Sequence, residues 1–260
     1  MVLISAFIIT KNEETRITRA IASIQDFVDE IIVIDSGSTD RTVEIAKKMG
    51  AQVIFNKWPG YVKQKAFGES LCRNDWILNI DADEERSDEL KSEIGYIFKS
   101  NTQDRYKAYK IDFVIMHRSD TKPRKYAPSN VFIRLYNKKY AGFKNVLSTT
   151  THDAVLMNRG IVENDSVYLL NGPAYHYSGT SIEQLVAKAN FYSGEQAKDL
   201  VASSRAISNI RLVFEFFTCF LKAFLIRRYF VFGMDGFVDS MIFAFARFLR
   251  LAKTRENCKN

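Results

Sequence analysis

The sequence predicts an α/β fold, a mostly parallel sheet flanked by helices, with a C-terminal helical extension. Three observations predict it. Strand-like and helix-like segments alternate through the first hundred residues, the pattern of βαβ units. Three of the strand-like runs end in polar or acidic clusters, where open α/β sheets bind their ligands. From Ser181 onward the pattern is helical to about residue 255.

Each element has a local reason. Val2–Thr10 is a β-branched run without the basic flank and cleavage site of a signal peptide, so it predicts a buried strand. Arg16–Ile24 carries a short helical pattern. Glu30–Asp35 is a second strand ending on a carboxylate. Ser38, Thr39 and Asp40 offer caps for a helix over Thr42–Met49, and Gly50 fits its C-terminal stop. Ala51–Phe55 is a third strand, Trp58-Pro59-Gly60 a turn and Tyr61–Leu71 a helix. Trp76–Ile80 is a fourth strand, ending at Asp81, and Asp88–Lys99 a helix. Tyr109–Met116 and Asn130–Tyr136 predict strands around a polar loop, and residues 137–180 are loop-rich. The expected organisation is residues 1–100 and 101–180 as two halves of one domain, with 181–260 as the helical extension.

Composition narrows the class. The 260 residues are 47% hydrophobic and 26% charged, which excludes a disordered or fibrous chain. The net charge of +7 is uneven. Residues 205–260 hold 10 of the 37 Lys and Arg but only 4 of the 30 Asp and Glu, together with 11 of the 20 Phe. The body is therefore nearly neutral and the tail basic and aromatic. A nucleic-acid-binding face would not divide this way, and no nucleic-acid partner is expected. Cys72, Cys219 and Cys258 form no C-x-x-C pair, so neither a disulfide framework nor a zinc site is indicated. No uncharged run is long enough to span a bilayer. There is no P-loop and no G-x-G-x-x-G. The acidic stretch from Asp81 fails as a calcium loop, because Arg86 and Ser92 stand where Gly and Glu are needed.

Three signals carry chemistry. Asp81-Ala82-Asp83 is a D-x-D directly after a hydrophobic strand; alternate side chains at a strand end share a face, and paired carboxylates suit Mg²⁺ or Mn²⁺. A solvated turn capping the Asp88 helix would read the same. Asp35, followed by Ser36 and Gly37, places a carboxylate where a base or ribose could bond it; an ordinary turn would too. Thr10-Lys11-Asn12-Glu13 is a polar break after the first strand.

Taken in order, SAFIITKNEE, DEIIVIDSGSTDRT and DWILNIDADEE resemble the family-two glycosyltransferases of the inverting GT-A fold, over roughly residues 3–100. The run Phe132–Tyr136, Gly142-Phe143 and His152-Asp153 resembles the WaaE/KdtX-like lipopolysaccharide-core branch, which usually has Glu where this chain has Asp153. The resemblance implies a nucleotide-sugar donor, a UDP-sugar first, and a lipid-linked saccharide acceptor. It implies that Thr10, Asn12, Glu13, Asp35, Ser36, Lys65, Asp81 and Ala82 line the donor. Asp83 would be the direct metal ligand, with Asp81 on the ribose or a water at the metal, and His176 a further ligand. Asp153 would be the general base, with Asp112 as fallback; alternatively Asp153 is a loop carboxylate paired with Arg134 or His152. Lys65 could equally be a solvated helix lysine, and His176 a packed histidine between Tyr175 and Tyr177.

In the tail, Arg211, Glu215, Thr218 and Lys222 form one polar stripe on an otherwise apolar helix. A second helix, Val238 to Lys253, ends in Arg247, Arg250, Lys253 and Arg255. This pattern suits peripheral attachment to an anionic membrane, and equally a packed helical hairpin. The expected function is metal-dependent inverting sugar transfer at the cytoplasmic face of the inner membrane. The alternatives are transfer to polyprenyl phosphate, or a catalytically silent nucleotide-binding protein.

Overall fold

The computed structural model describes residues 3–118, 120–143, 154–177, 181–202 and 207–258. Among these the chain divides into two compact units. One holds residues 3–114, 129–143 and 154–176, and the other residues 115–128 and 177–258.

The first unit runs β1 (Ile4–Thr10), α1 (Ile17–Ala22), β2 (Glu30–Asp35), α2 (Thr42–Lys48), β3 (Gln52–Phe55), α3 (Tyr61–Leu71), β4 (Trp76–Asp81), β5 (Glu84–Arg86) and α4 (Asp88–Lys99). It continues with β6 (Ala108–Ile115), β7 (Ser129–Asn137), β8 (Ala141–Phe143), β9 (Val155–Met157), α5 (Glu163–Ser166), β10 (Val167–Leu169) and β11 (Ala174–His176). Among the described residues the main sheet has the order β3-β2-β1-β4-β7-β6-β11-β5, with β10 also on β6, and β8 and β9 form a separate ribbon. The first four of these strands are parallel, and β7 is antiparallel to both neighbours. This is the mixed α/β, GT-A-like architecture expected.

Alternation along β1 builds two cores. Ile4, Ala6 and Ile8 join Ile17, Ile21, Leu90 and Ile94 on one face, whereas Phe7 and Ile9 join Ile34, Ile77, Tyr136 and Phe143 on the other. The order 3-2-1-4 reverses between β1 and β4, which makes the gap beyond their C-terminal ends a topological switch point. Register levels those ends: Thr10 lies opposite Asp35, and Ile9 opposite Asp81.

The second unit contains α6 (Ile182–Ala202), α7 (Asn209–Leu221), a π-helical turn (Lys222–Ile226), a 3₁₀ turn (Tyr229–Phe232) and α8 (Met234–Asn257). The last helix starts earlier than Val238. Gly236 sits inside α8, where a Cβ would come within 1.8 Å of the Tyr229 carbonyl oxygen. The polar stripe of α7 also behaves differently from expectation. Glu215 turns to α8 and pairs with Arg250 at 3.0 Å. Ile210, Val213, Phe214 and Phe217 are left facing solvent, each more than half exposed. Most of the basic residues of α8 act as staples: Lys253 donates to the Asn190 carbonyl oxygen and to Ser193 Oγ, and Arg255 donates to Asn209. Phe220, Phe224 and Phe237 pack edge-on and stacked beneath. Among the described residues no helix is long and apolar enough to cross a membrane.

The N-terminus of α4 rests on Ser87, whose hydroxyl accepts the Leu90 N–H at 3.1 Å. Ser87→Ala is expected to cost about 1 kcal/mol, read from the midpoint of urea unfolding, while Ser87→Thr keeps the cap oxygen and most of the stability.

Candidate active site

The three level strand ends are knitted together by their loops. Asn12 adopts φ +56°, its N–H donates to Ser38 Oγ, and its Oδ1 accepts from the Thr39 N–H at 2.8 Å. The Glu13 N–H donates to Thr42 Oγ1 at 2.7 Å. Asp35, buried, accepts the N–H groups of Gly37 and Ser38 at 2.8 and 3.0 Å, and the Ser38 hydroxyl. The local turn expected from the sequence therefore forms, with the carboxylate fixed inside it. Ser36 Oγ accepts from Gln64, a buried α3 residue that also binds Asn56. Thr10 is buried, and its hydroxyl has no hydrogen-bond partner among the described residues.

The end of β4 is a buried charge network. Lys65, fully buried on α3, places Nζ 2.8 Å from Asp81 Oδ1. It is not a solvated helix lysine. Arg134 of β7 donates to Asn79 Oδ1 at 2.6 Å, to Asp81 Oδ2 at 2.8 Å and to Glu84 Oε1 at 2.7 Å. Glu84 in turn accepts from Arg86 at 3.0 Å and from the Asp81 N–H at 3.1 Å. Burial alone would raise the Asp81 carboxyl, but Lys65 and Arg134 outweigh it and hold Asp81 far below the usual carboxylate range.

Asp83 has other partners. Strand β4 stops at Asp81 and residues 82–83 form a turn, so strand alternation does not align the two carboxylates. Ala82 is buried between them. Asp83 lies 3.4 Å from His176 Nε2 and 3.9 Å from Arg16, which itself forms a forked pair with Glu13 at 2.6 and 2.7 Å. Burial opposes charge on both members of the Asp83–His176 pair. Their mutual attraction wins, lowering the Asp83 carboxyl and raising the His176 imidazole. The structure thus brings Thr10, Asn12, Glu13, Asp35, Ser36, Lys65, Asp81, Asp83 and His176 into the first unit, around one edge of its sheet. Among the described residues no group of three or more His, Cys, Asp and Glu side chains is gathered as a metal site; Asp83 and His176 bring together one carboxylate and one imidazole nitrogen.

Asp153 lies outside the described residues. The strands flanking it pair, Phe143 opposite Val155. Asp112, on β6, carries a buried Oδ1 with no hydrogen-bond partner among the described residues. Arg134 donates to Asn79, Asp81 and Glu84, and the alternative pairing of Asp153 with it lies outside the described residues.

Sequence reasoning missed three residues. Gln64 and Glu84 carry no local signal of burial. Glu69 of α3 accepts the Tyr136 hydroxyl at 2.5 Å and the Phe143 N–H at 3.3 Å, fixing β8. Its carboxylate explains Gly142, where a Cβ would lie 2.7 Å from Glu69 Oε1. Burial and the Glu69 charge push the Tyr136 phenol well up.

The chain is similar to several known proteins. The profile of "Glycosyl transferase family 2" matches residues 5–164. An uncharacterized glycosyltransferase of Rickettsia prowazekii is 65% identical over 253 residues, covering 97% of this chain and 87% of that one. The lipopolysaccharide core biosynthesis glycosyltransferase LpsC of Rhizobium meliloti is 26% identical, covering 96% and 91%. Among solved structures, glucosyl-3-phosphoglycerate synthase from Mycobacterium tuberculosis in complex with phosphoglyceric acid superposes with a TM-score of 0.47 at 18% identity, covering 79% and 81%.

Breaking one side of a buried pair strands the other charge, at a cost of about 3 kcal/mol. Lys65→Met is therefore expected to lose about that much stability in chemical denaturation. In Lys65→Met/Asp81→Asn the loss should be smaller than the sum of the two single losses, since the two groups are in contact. Additive losses would show that the pair is not coupled.

Proposed function

The chain belongs to glycosyl transferase family 2 and is a glycosyltransferase that uses a nucleotide sugar, and from that premise we propose a metal-dependent, inverting transfer from a UDP-sugar to a lipid-linked saccharide. The observation that carries this reading is the levelled set of strand ends at the switch point, with the Asp83–His176 pair beside it. Asp83 and His176 are assigned to hold Mn²⁺ or Mg²⁺. The ion supplies neutralisation of the charge on the departing nucleoside diphosphate. His176 would hold the ion through a neutral imidazole nitrogen, and Asp83 through its carboxylate.

The remaining roles are assigned from the family resemblance, and position supports them. Thr10, Asn12, Glu13, Asp35 and Ser36 line the base and ribose. Lys65 and Arg134 keep Asp81 ionised and oriented at the donor. Asp153 is assigned to take the proton from the acceptor hydroxyl as it attacks the anomeric carbon, with Asp112 as the alternative base.

The acceptor is assigned to lipopolysaccharide core or a related bacterial envelope glycan. The LpsC relative, matched across nearly the whole of both chains, supports this. The outward apolar face of α7, with Lys222, Arg227 and Arg228 exposed just beyond it, supports peripheral attachment to an anionic cytoplasmic leaflet.

A panel of nucleotide sugars, with and without Mn²⁺, is expected to yield one UDP-sugar that raises the melting temperature only when the metal is present. No discrimination among donors would overturn the proposal. Asp153→Asn is expected to lower transfer to a saccharide hydroxyl by about 10²–10⁴-fold with donor binding intact. Undiminished transfer in that variant would move the base to Asp112, or the acceptor to a polyprenyl phosphate, whose oxygen needs no deprotonation.

A further inference from the structure

Residues 120–128, in the connection between β6 and β7, have no part in the site at the strand ends. They belong to the helical unit, where they lie against the turns that join α7 to α8. Two hydrogen bonds fix them there. Arg124 Nη1 donates to the Val231 carbonyl oxygen at 3.1 Å, and Arg228 Nη2 donates to the Ala127 carbonyl oxygen at 3.4 Å. Arg124 also holds Asp120 in a forked pair at 2.8 and 2.9 Å. Loop and turns therefore present one surface.

That surface has an excess of one charge. Lys122, Lys125, Lys222, Arg227 and Arg228 are all exposed, and among the described residues none of the five forms an ion pair. Lys125 and Arg227 stand over the rings of Tyr126 and Phe243, at 5.0 and 4.9 Å. The acids nearby are committed: Asp120 to Arg124, Asp239 to Arg118 at 3.0 Å, and Asp235 beside His117 at 3.8 Å. Large apolar side chains stand among the cations. Ile226 and Met234 are 75% and 76% exposed, and Leu225 and Phe230 about half. The backbone is strained at the same place. Tyr126 has φ +66° and Arg228 φ +60°, whereas the other described non-glycine residues in that region are asparagines, which tolerate it. Strain of this kind persists where the surroundings impose it, often at functional surfaces, and both strained residues here are exposed.

We propose that the loop 120–128 and the turns over 222–234 form one docking surface for an anionic bilayer, with the five cations at the lipid phosphates and Leu225, Ile226, Phe230 and Met234 in the acyl boundary. Exposed aliphatic tips gain nothing from a nucleic acid, whose usual partners are cations and stacking aromatics. At a membrane interface they leave water. The inference rests on the peripheral-membrane reading above and deepens it. That reading places attachment on the C-terminal extension, whereas this surface requires a loop from the middle of the chain.

The test is partition of the full chain onto equimolar phosphatidylglycerol–phosphatidylcholine vesicles, measured by flotation over a range of lipid concentrations. Each Lys or Arg near an anionic surface contributes about fivefold to such partition, so Lys122→Gln/Lys125→Gln is expected to weaken it about 25-fold. That variant should also flatten the salt dependence and melt as the parent does, since neither lysine forms an ion pair. Ile226→Ser is expected to weaken partition about tenfold. Tyr126→Asn relieves the left-handed backbone, so it should melt no lower than the parent and still partition more weakly. Vesicles of phosphatidylcholine alone should bind the parent more weakly than the mixed ones. If the parent floats and the double lysine variant floats equally well, this surface is refuted and attachment through α7 stands. A parent that floats with neither vesicle would overturn both. Displacement of the parent from vesicles by double-stranded DNA at equal phosphate would assign the cations to a nucleic acid and overturn the inference as well.

Discussion

The arrangement at the sheet edge depends on Arg134. Its guanidinium reaches Asn79 and Asp81 at the end of β4 and Glu84 at the start of β5. Lys65 closes the network from α3, and Arg86 from β5. Buried ions are tolerated only when paired and hydrogen-bonded, so these residues fix one another. The consequence is positional. Asp81 is locked, the chain turns at 82–83, and Asp83 is delivered to His176 and Arg16.

Much of this was legible in the sequence. The strands are legible as β-branched runs and their polar or acidic ends as ligand-facing positions, whereas the strand order that makes the switch point is not. Tyr61–Leu71 was legible as a helix but not in its burial. Its buried residues are Gln64, Lys65 and Gly68, none of them apolar enough for periodicity to flag. Lys65 is buried because Asp81, 16 positions on, needs a counter-ion, and no local pattern encodes such a need. Arg134 is expected from the sequence only as a motif residue and a candidate partner of Asp153, since its three observed partners lie 50 to 55 residues away. Asp81 and Asp83 were expected to face one ligand by strand alternation, an argument that ends where the strand does.

The tail shows the same division. Helical periodicity correctly found one polar stripe on α7. It could not show that Glu215 turns toward Arg250, 35 residues later, which leaves aromatic and aliphatic side chains outward. The surplus charge is likewise redistributed: Arg250, Lys253 and Arg255 hold helices together, and Arg247 borders a cavity. The positive charge left outward is smaller than composition suggests, and the apolar surface larger. In the proposed membrane attachment, hydrocarbon burial would therefore outweigh electrostatic attraction.

The central claim is that the locked Asp81 leaves Asp83, with His176, to hold the metal that the donor diphosphate completes. Electron paramagnetic resonance of Mn²⁺ in the presence of uridine diphosphate tests it most directly. The parent chain is predicted to remove one equivalent of the free-ion signal, and Asp83→Ala, folded and at equal concentration, to leave the signal at its protein-free level. Equal loss of the signal in both would contradict the account, as would no loss in the parent.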